Sequence, residues 1–155
     1  MSVLHLIAKT CEKGSNVTAL LSPLLDFGLR FWVAYAFFLS GLSKIQSWST
    51  TLMLFEYEYA VPLLSPVTAA WTGAATDLIL PIFLLLGFLA RPVALALFIF
   101  NAIAVYSYGS FLFGEDGGAG LQQHILWGTM LLVTFIHGPG KLSLDALVAK
   151  RYGSA

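Results

Sequence analysis

The chain has 155 residues, of which 58% are hydrophobic and only 10% charged, and its mean hydropathy is +0.82. Soluble domains carry about a quarter charged residues and leave roughly a third of their surface in water, so this composition excludes a soluble protein. With a formal net charge of zero, nothing suggests nucleic-acid binding, which needs a basic patch, and a single cysteine excludes an internal disulfide.

Four apolar stretches are long enough to cross the hydrocarbon core as helices, which takes about 20 residues each. They cover residues 24–41, 66–89, 92–113 and 121–136. We predict a single all-α domain, an integral membrane four-helix bundle in contact with the lipid bilayer. Residues 1–22 and 46–60 are expected to form short helices at the membrane surface, and residues 138–155 form a polar tail.

The positions of lysine and arginine predict the orientation of the bundle. Six of these residues lie near the two termini and the turn at Arg91, whereas Lys44 is alone on the opposite side. Because positive charge collects on the cytoplasmic side of membrane proteins, both termini are expected in the cytoplasm.

Two charged side chains fall inside predicted spans, where a charge costs a few kcal/mol. Arg30 follows Asp26 by four residues, so it can pair with Asp26 and extend to the membrane surface. Asp77 lies on a face of small residues and precedes Pro81, which leaves a carbonyl without a donor. We favour an Arg30–Asp77 pair; whether Asp77 is a structural clamp or a functional site stays open.

Further polar residues complete two candidate clusters. Asn101 is expected to bond to a neighbouring helix, with Tyr108 two turns further along the same face. His124 is a candidate at the outer mouth of the bundle, a set completed by Lys44, Glu56 and Glu58. His124 and His137 lie about 20 Å apart along one helix, so they cannot share a haem, and no metal site is predicted.

Several of these residues belong to a recognisable pattern. It comprises Arg30, Gly41-Leu-Ser-Lys44, Asp77, Arg91, His124-Ile-Leu-Trp127 and the closing Gly138-Pro-Gly-Lys-Leu-Ser-Leu-Asp145. The pattern resembles the DoxX family of small four-span bacterial membrane proteins, although that family usually has glutamate at position 77. In the closing motif, Gly138 and Gly140 end the fourth helix. Ser143 is then expected to cap a short helix with Asp145 in its first turn.

The resemblance implies a multi-pass protein of the bacterial inner membrane, linked in some members to sulfur and quinone redox complexes. The stretch 58–66 is similar to a subgroup whose genes often neighbour those of iron enzymes that modify peptides. The first hypothesis is therefore a non-catalytic accessory subunit that assists a redox or metal-handling protein partner.

Two other functions stay open. The second hypothesis is a quinone-interacting oxidoreductase subunit, with quinone as its cofactor and a pocket around Arg30, Asp77, Asn101 and Tyr108. The third is a small-solute or ion carrier, which would require a homo-oligomer because four spans are few for a pore. Whether the chain is an enzyme by itself is left undecided.

Overall fold

A computed structural model describes the backbone of residues 3–153 and the side chains of residues 18–153. Within that range all regular structure is helical. The helices are α1 (Val3–Gln46), α2 (Trp48–Tyr57), α3 (Pro66–Leu86), α4 (Ala90–Ser107), α5 (Gly109–Leu112), α6 (Gly118–His137) and α7 (Leu144–Tyr152). Residues 18–46 of α1, together with α3, α4 and α6, are long and apolar enough to cross a membrane. The prediction of an all-α membrane bundle with four spans is confirmed.

The four long helices pack mainly as two pairs, α1 with α3 and α4 with α6. Small residues permit the first contact, since a Cβ added to Gly41 would lie 2.8 Å from the Leu78 side chain. The bundle core contains Leu84, Leu97 and Leu131, each 0% exposed. Large apolar side chains cover the outside of the bundle, as expected where lipid is the solvent.

The bundle has two distinct ends. The loop end carries the connector between α1 and α3 and the residues between α4 and α6. Helix α2 packs there against α3 through Phe55, and the rings of Trp48 and Trp71 lie 4.3 Å apart. The tail end carries the α3–α4 turn at Gly87 and the segment that follows α6.

Candidate functional site

A cavity of about 350 Å³ opens among α1, α3, α4 and α6 at the loop end. Apolar side chains form most of its wall, with Phe37, Phe100 and Trp127 prominent among them. The polar side chains around it are Ser40, Lys44, Tyr59, Thr72, Asp77, Asn101, Ser107, Tyr108 and His124. The volume lies in the range of small-ligand sites, which combine apolar walls with a few convergent polar groups.

Asp77 is 2% exposed and lies on the wall that α3 contributes to the cavity. Its Oδ2 accepts a hydrogen bond from Lys44 Nζ at 2.7 Å and another from Ser40 Oγ at 3.0 Å. Lys44 Nζ also donates to Ser40 Oγ at 2.6 Å. Ser40 and Lys44 are one helical turn apart on α1, which places both opposite Asp77.

The predicted Arg30–Asp77 pair was wrong. The two residues lie at different depths in the bundle, and Lys44 is the cation that pairs with Asp77. Lys44 was expected at the outer mouth because it follows the predicted first span. In the structure α1 continues to Gln46, so Lys44 still belongs to the helix and reaches back into the bundle.

Asn101 and His124 make a second polar pair, between α4 and α6. Asn101 Nδ2 donates to the main-chain carbonyl of His124 at 3.0 Å, and Asn101 Oδ1 lies 2.8 Å from His124 Nδ1. If the side-chain amide of Asn101 were flipped, its oxygen would face the carbonyl oxygen of His124, and two acceptors would meet. The His124 carbonyl therefore fixes the amide orientation, with Asn101 Oδ1 as the acceptor toward His124 Nδ1. His124 Nδ1 therefore carries a proton, and in the neutral ring Nε2 holds a lone pair.

Tyr59 and Tyr108 both line the cavity. Their rings meet edge to face at 4.9 Å, and Tyr59 also packs against Phe55 at 5.0 Å. Burial, the neighbouring Tyr108 and the charge of Glu58 raise the pKa of the Tyr59 hydroxyl above its ordinary value. The hydroxyl therefore stays protonated at neutral pH and can both donate and accept hydrogen bonds.

Ser107 is the last residue of α4 and also lines the cavity. Its side chain is 6% exposed, and its Oγ has no hydrogen-bond partner in the described part of the chain. A buried polar atom without a partner costs about 1–3 kcal/mol, so a bound molecule that satisfies it gains that energy. Ser107 is not among the predicted site residues, because a serine near a helix end gives no periodic signal.

The structure therefore brings together Asp77, Asn101, Tyr108, Lys44 and His124, which sequence analysis had divided between two clusters. The two clusters form one site because α1 and α6 carry their polar residues to the same depth as Asp77. The remaining candidates lie elsewhere. Glu56 on α2 and Glu58 directly after α2 are both exposed, and Arg30 lies at the tail end.

Arg30 closes the tail end of the bundle. It is 1% exposed, and its Nη1 donates to the carbonyls of Leu84 at 3.1 Å and Leu85 at 2.8 Å, in the last turn of α3. Its Nη2 donates to the carbonyl of Leu142. A cation at a helix C-terminus is favourable because the last carbonyls have no helical donor. Arg30 thus caps α3 and ties the tail to it, instead of extending to the surface beside Asp26.

The closing motif completes this tail clamp, which we define as Arg30, Gly87, Ser143 and Asp145. A Cβ on Gly87, whose φ is +65°, would lie 2.4 Å from the Ser143 Cβ. Ser143 Oγ accepts from the Ala146 amide at 3.1 Å, the N-cap expected for α7. Asp145 accepts from two main-chain amides at the start of α4, each at 2.8 Å. These residues hold the fold and do not contact the cavity.

Fold and site together define a small multi-pass membrane protein with a partly polar cavity at one end of its bundle. The sequence matches the DoxX family over residues 25–110, more than half of the chain, and the chain belongs to that family. The matched region includes Lys44, Asp77 and Asn101, whereas His124 and the closing motif lie beyond it.

The chain is also 34% identical over 143 residues to a Haemophilus influenzae protein described as "Uncharacterized protein". That alignment covers 90% of this chain and 88% of the relative. No solved structure matches the chain.

Proposed function

We propose that this protein is a membrane subunit that binds the ring of a lipid-soluble quinone in the cavity at the loop end. It would serve there as a ligand-binding subunit for a redox partner. The cavity is the observation that supports this proposal: its walls are apolar, it opens among membrane spans, and polar side chains from four helices converge in it. A quinone has the same division, with an apolar ring and tail and two polar oxygens.

The second candidate is an accessory role without catalysis. It leaves the proposed ligand unchanged and assigns the redox chemistry to a partner protein. It is favoured by the composition of the site, where Lys44 and Asp77 neutralise each other. In the described residues, no three His, Cys, Asp or Glu side chains cluster to hold a metal ion. In this role a partner would supply the redox centre, while this chain would supply the membrane ligand.

A carrier is less well supported by the same geometry. Between the cavity and the tail end lies a packed core in which Leu84, Leu97 and Leu131 are 0% exposed. A solute entering the cavity would meet this core before it met the tail clamp. Asp77, the residue that suggested an ion pathway, is paired with Lys44 and offers a cation no unbalanced charge.

Positive charge at the tail end supports an orientation of the bundle in the membrane. Arg91, Lys141, Lys150 and Arg151 all lie at the tail end, so this end would face the cytoplasm of a bacterial cell and the cavity would open on the outer side of the inner membrane. Alkaline phosphatase fused after Gly153 should be inactive, and a fusion within 114–117 should be active. The reverse pattern would refute the orientation while leaving the ligand proposal intact.

Fluorescence quenching tests the ligand. Trp127 lines the cavity, so decylubiquinone added to protein in nanodiscs should quench its emission in a saturable way. Ala104→Phe would fill the cavity and is expected to weaken saturable quenching at least about tenfold. Ala102→Phe, which makes the same change on the exposed side of α4, is the matched control and should bind as the parent does.

Two further measurements interpret the result. In Trp127→Phe the saturable component should disappear, leaving only the linear quenching of lipid-facing tryptophans such as Trp32. Quinone should also be present in the lipid extract of protein purified from its host membrane. Linear quenching alone in the parent protein would refute a quinone site in this cavity. Equal saturable quenching in Ala104→Phe and Ala102→Phe would refute it as well.

A further inference from the structure

Two acceptor atoms in the cavity have no donor. Asp77 uses Oδ2 for its bonds to Lys44 and Ser40, and its Oδ1 has no hydrogen-bond partner among residues 18–153. His124 uses Nδ1 for Asn101, and its Nε2 likewise has no partner in the described chain. Asp77 and His124 both line the cavity.

The donors in the cavity are more fully occupied. Two of the three ammonium protons of Lys44 are donated to Asp77 and Ser40. The hydroxyls of Ser107, Tyr59 and Tyr108 can donate or accept, so they serve a ligand of either kind. The remaining fixed donors are one ammonium proton of Lys44 and one amide proton of Asn101, and the fixed acceptors are His124 Nε2 and the carboxylate oxygen Asp77 Oδ1, which is the charged one of the two.

We propose, resting on the proposed function, that the cavity binds the reduced, dihydroxy form of the ring more tightly than the oxidised quinone. The oxygens of a quinone only accept hydrogen bonds, so they cannot satisfy Asp77 Oδ1 or His124 Nε2. A quinol carries two hydroxyl groups and can donate to both atoms. Hydrogen bonds to a charged acceptor are the stronger kind, and an acceptor left unpartnered in an apolar cavity is costly.

The two acceptors have separate roles in binding the quinol. Asp77 Oδ1 would receive one hydroxyl at the α3 wall, and His124 Nε2 would receive a hydroxyl at the α6 wall. Asn101 is then a positioning residue, since its bond to Nδ1 leaves the lone pair on Nε2. Ser40 and Lys44 act in the same way on Asp77, because they hold Oδ2 and leave Oδ1 for the ligand.

The first measurement is the ratio of two affinities in the parent protein. Decylubiquinone is titrated into nanodiscs to obtain its Kd from the quenching of Trp127, and decylubiquinol is then used, without oxygen, to displace it. We expect the quinol to bind about tenfold tighter or more, which corresponds to one hydrogen bond to a charged acceptor. Equal affinities, or tighter binding of the quinone, would overturn the inference and leave the quinone site standing. If neither form binds saturably, the proposed function itself fails.

The substitution Asp77→Asn gives the sharpest test. Lys44 and Ser40 are both donors toward position 77, so they would hold the amide oxygen of the asparagine where Oδ2 lies now. The amide nitrogen would replace Oδ1, and the wall would then present a donor in place of an acceptor. The preference should therefore shift toward the quinone by about tenfold or more. Asp116→Asn makes the same chemical change on the exposed loop and should leave the ratio unaltered.

A second variant covers the outcome in which Asp77→Asn does not fold. His124→Phe removes the Nε2 acceptor but keeps the main-chain carbonyl that Asn101 Nδ2 contacts. This change should weaken quinol binding several-fold while altering quinone binding little, so the ratio falls. A ratio that stays at the parent value in His124→Phe and in any folded Asp77→Asn protein would overturn the inference.

Discussion

Replacing Arg30 with methionine should release the tail segment from the bundle. The guanidinium donates three hydrogen bonds to the carbonyls of Leu84, Leu85 and Leu142, and its side chain is 1% exposed. Hydrogen bonds from a charged group contribute about 1.5–3 kcal/mol each. Burying the guanidinium costs desolvation energy, however, and this cost offsets part of that sum. The substitution removes this charge and leaves three neutral carbonyls without a donor, so we expect a net loss of about 2–4 kcal/mol, near 1 kcal/mol for each lost hydrogen bond.

The assay combines unfolding with proteolysis in mild detergent. The Arg30→Met protein should unfold at a lower denaturant concentration, and trypsin should cut faster after Lys141, beside the Leu142 carbonyl that Arg30 holds. Arg91→Met is the matched control, because Arg91 is exposed and makes a single long bond of 3.5 Å to the His137 carbonyl. Equal unfolding and equal cleavage in the two variants would show that Arg30 does not fasten the tail.

Three other changes test separate contacts. Gly87→Ala should destabilise the protein by about 1–3 kcal/mol in the same unfolding assay, because alanine is strained at a φ of +65° and its Cβ would lie 2.4 Å from that of Ser143; a neutral effect would contradict the close approach. Asp145→Ala should cost about 1–2 kcal/mol by removing both acceptors at the start of α4, and circular dichroism should still show a folded bundle. The raised pKa of Tyr59 means that the unfolded state loses this proton first as pH rises past about 10, so stability should fall above that pH. In Tyr59→Phe that part of the decline should be absent, and an unchanged pH profile would show that Tyr59 titrates normally.

Much of the fold follows from the sequence because lipid imposes simple requirements. A span must be apolar for about 20 residues and must satisfy its own main-chain hydrogen bonds, so four helices can be read from hydropathy. The Ser143 cap could also be predicted, since a serine before a helix satisfies an amide in its first turn. These features depend on neighbours in the sequence, and such neighbours are visible without a structure.

The partners of charged residues could not be predicted in the same way. Arg30 and Asp77 are the natural pair if charges inside spans are matched by sign alone. The pairing depends instead on the depth of each residue in the bundle. Arg30 lies beside the last turn of α3, whereas Lys44, one turn after Ser40 on α1, contacts Asp77. Relative depth depends on where α1 begins and ends, and the boundaries of a helix are the least certain part of a sequence-based prediction.

The ion pair between Lys44 and Asp77 has a consequence for how the chain enters the bilayer during synthesis. An aspartate near the centre of a helix opposes insertion by about 2.5–3.5 kcal/mol. Since α1 is made before α3, Lys44 is already in place when Asp77 leaves the translocon, and the two helices can enter as a hairpin with their charges matched. A change at Lys44 would then reduce the yield of inserted protein, and the defect should appear as a poorly integrated second span.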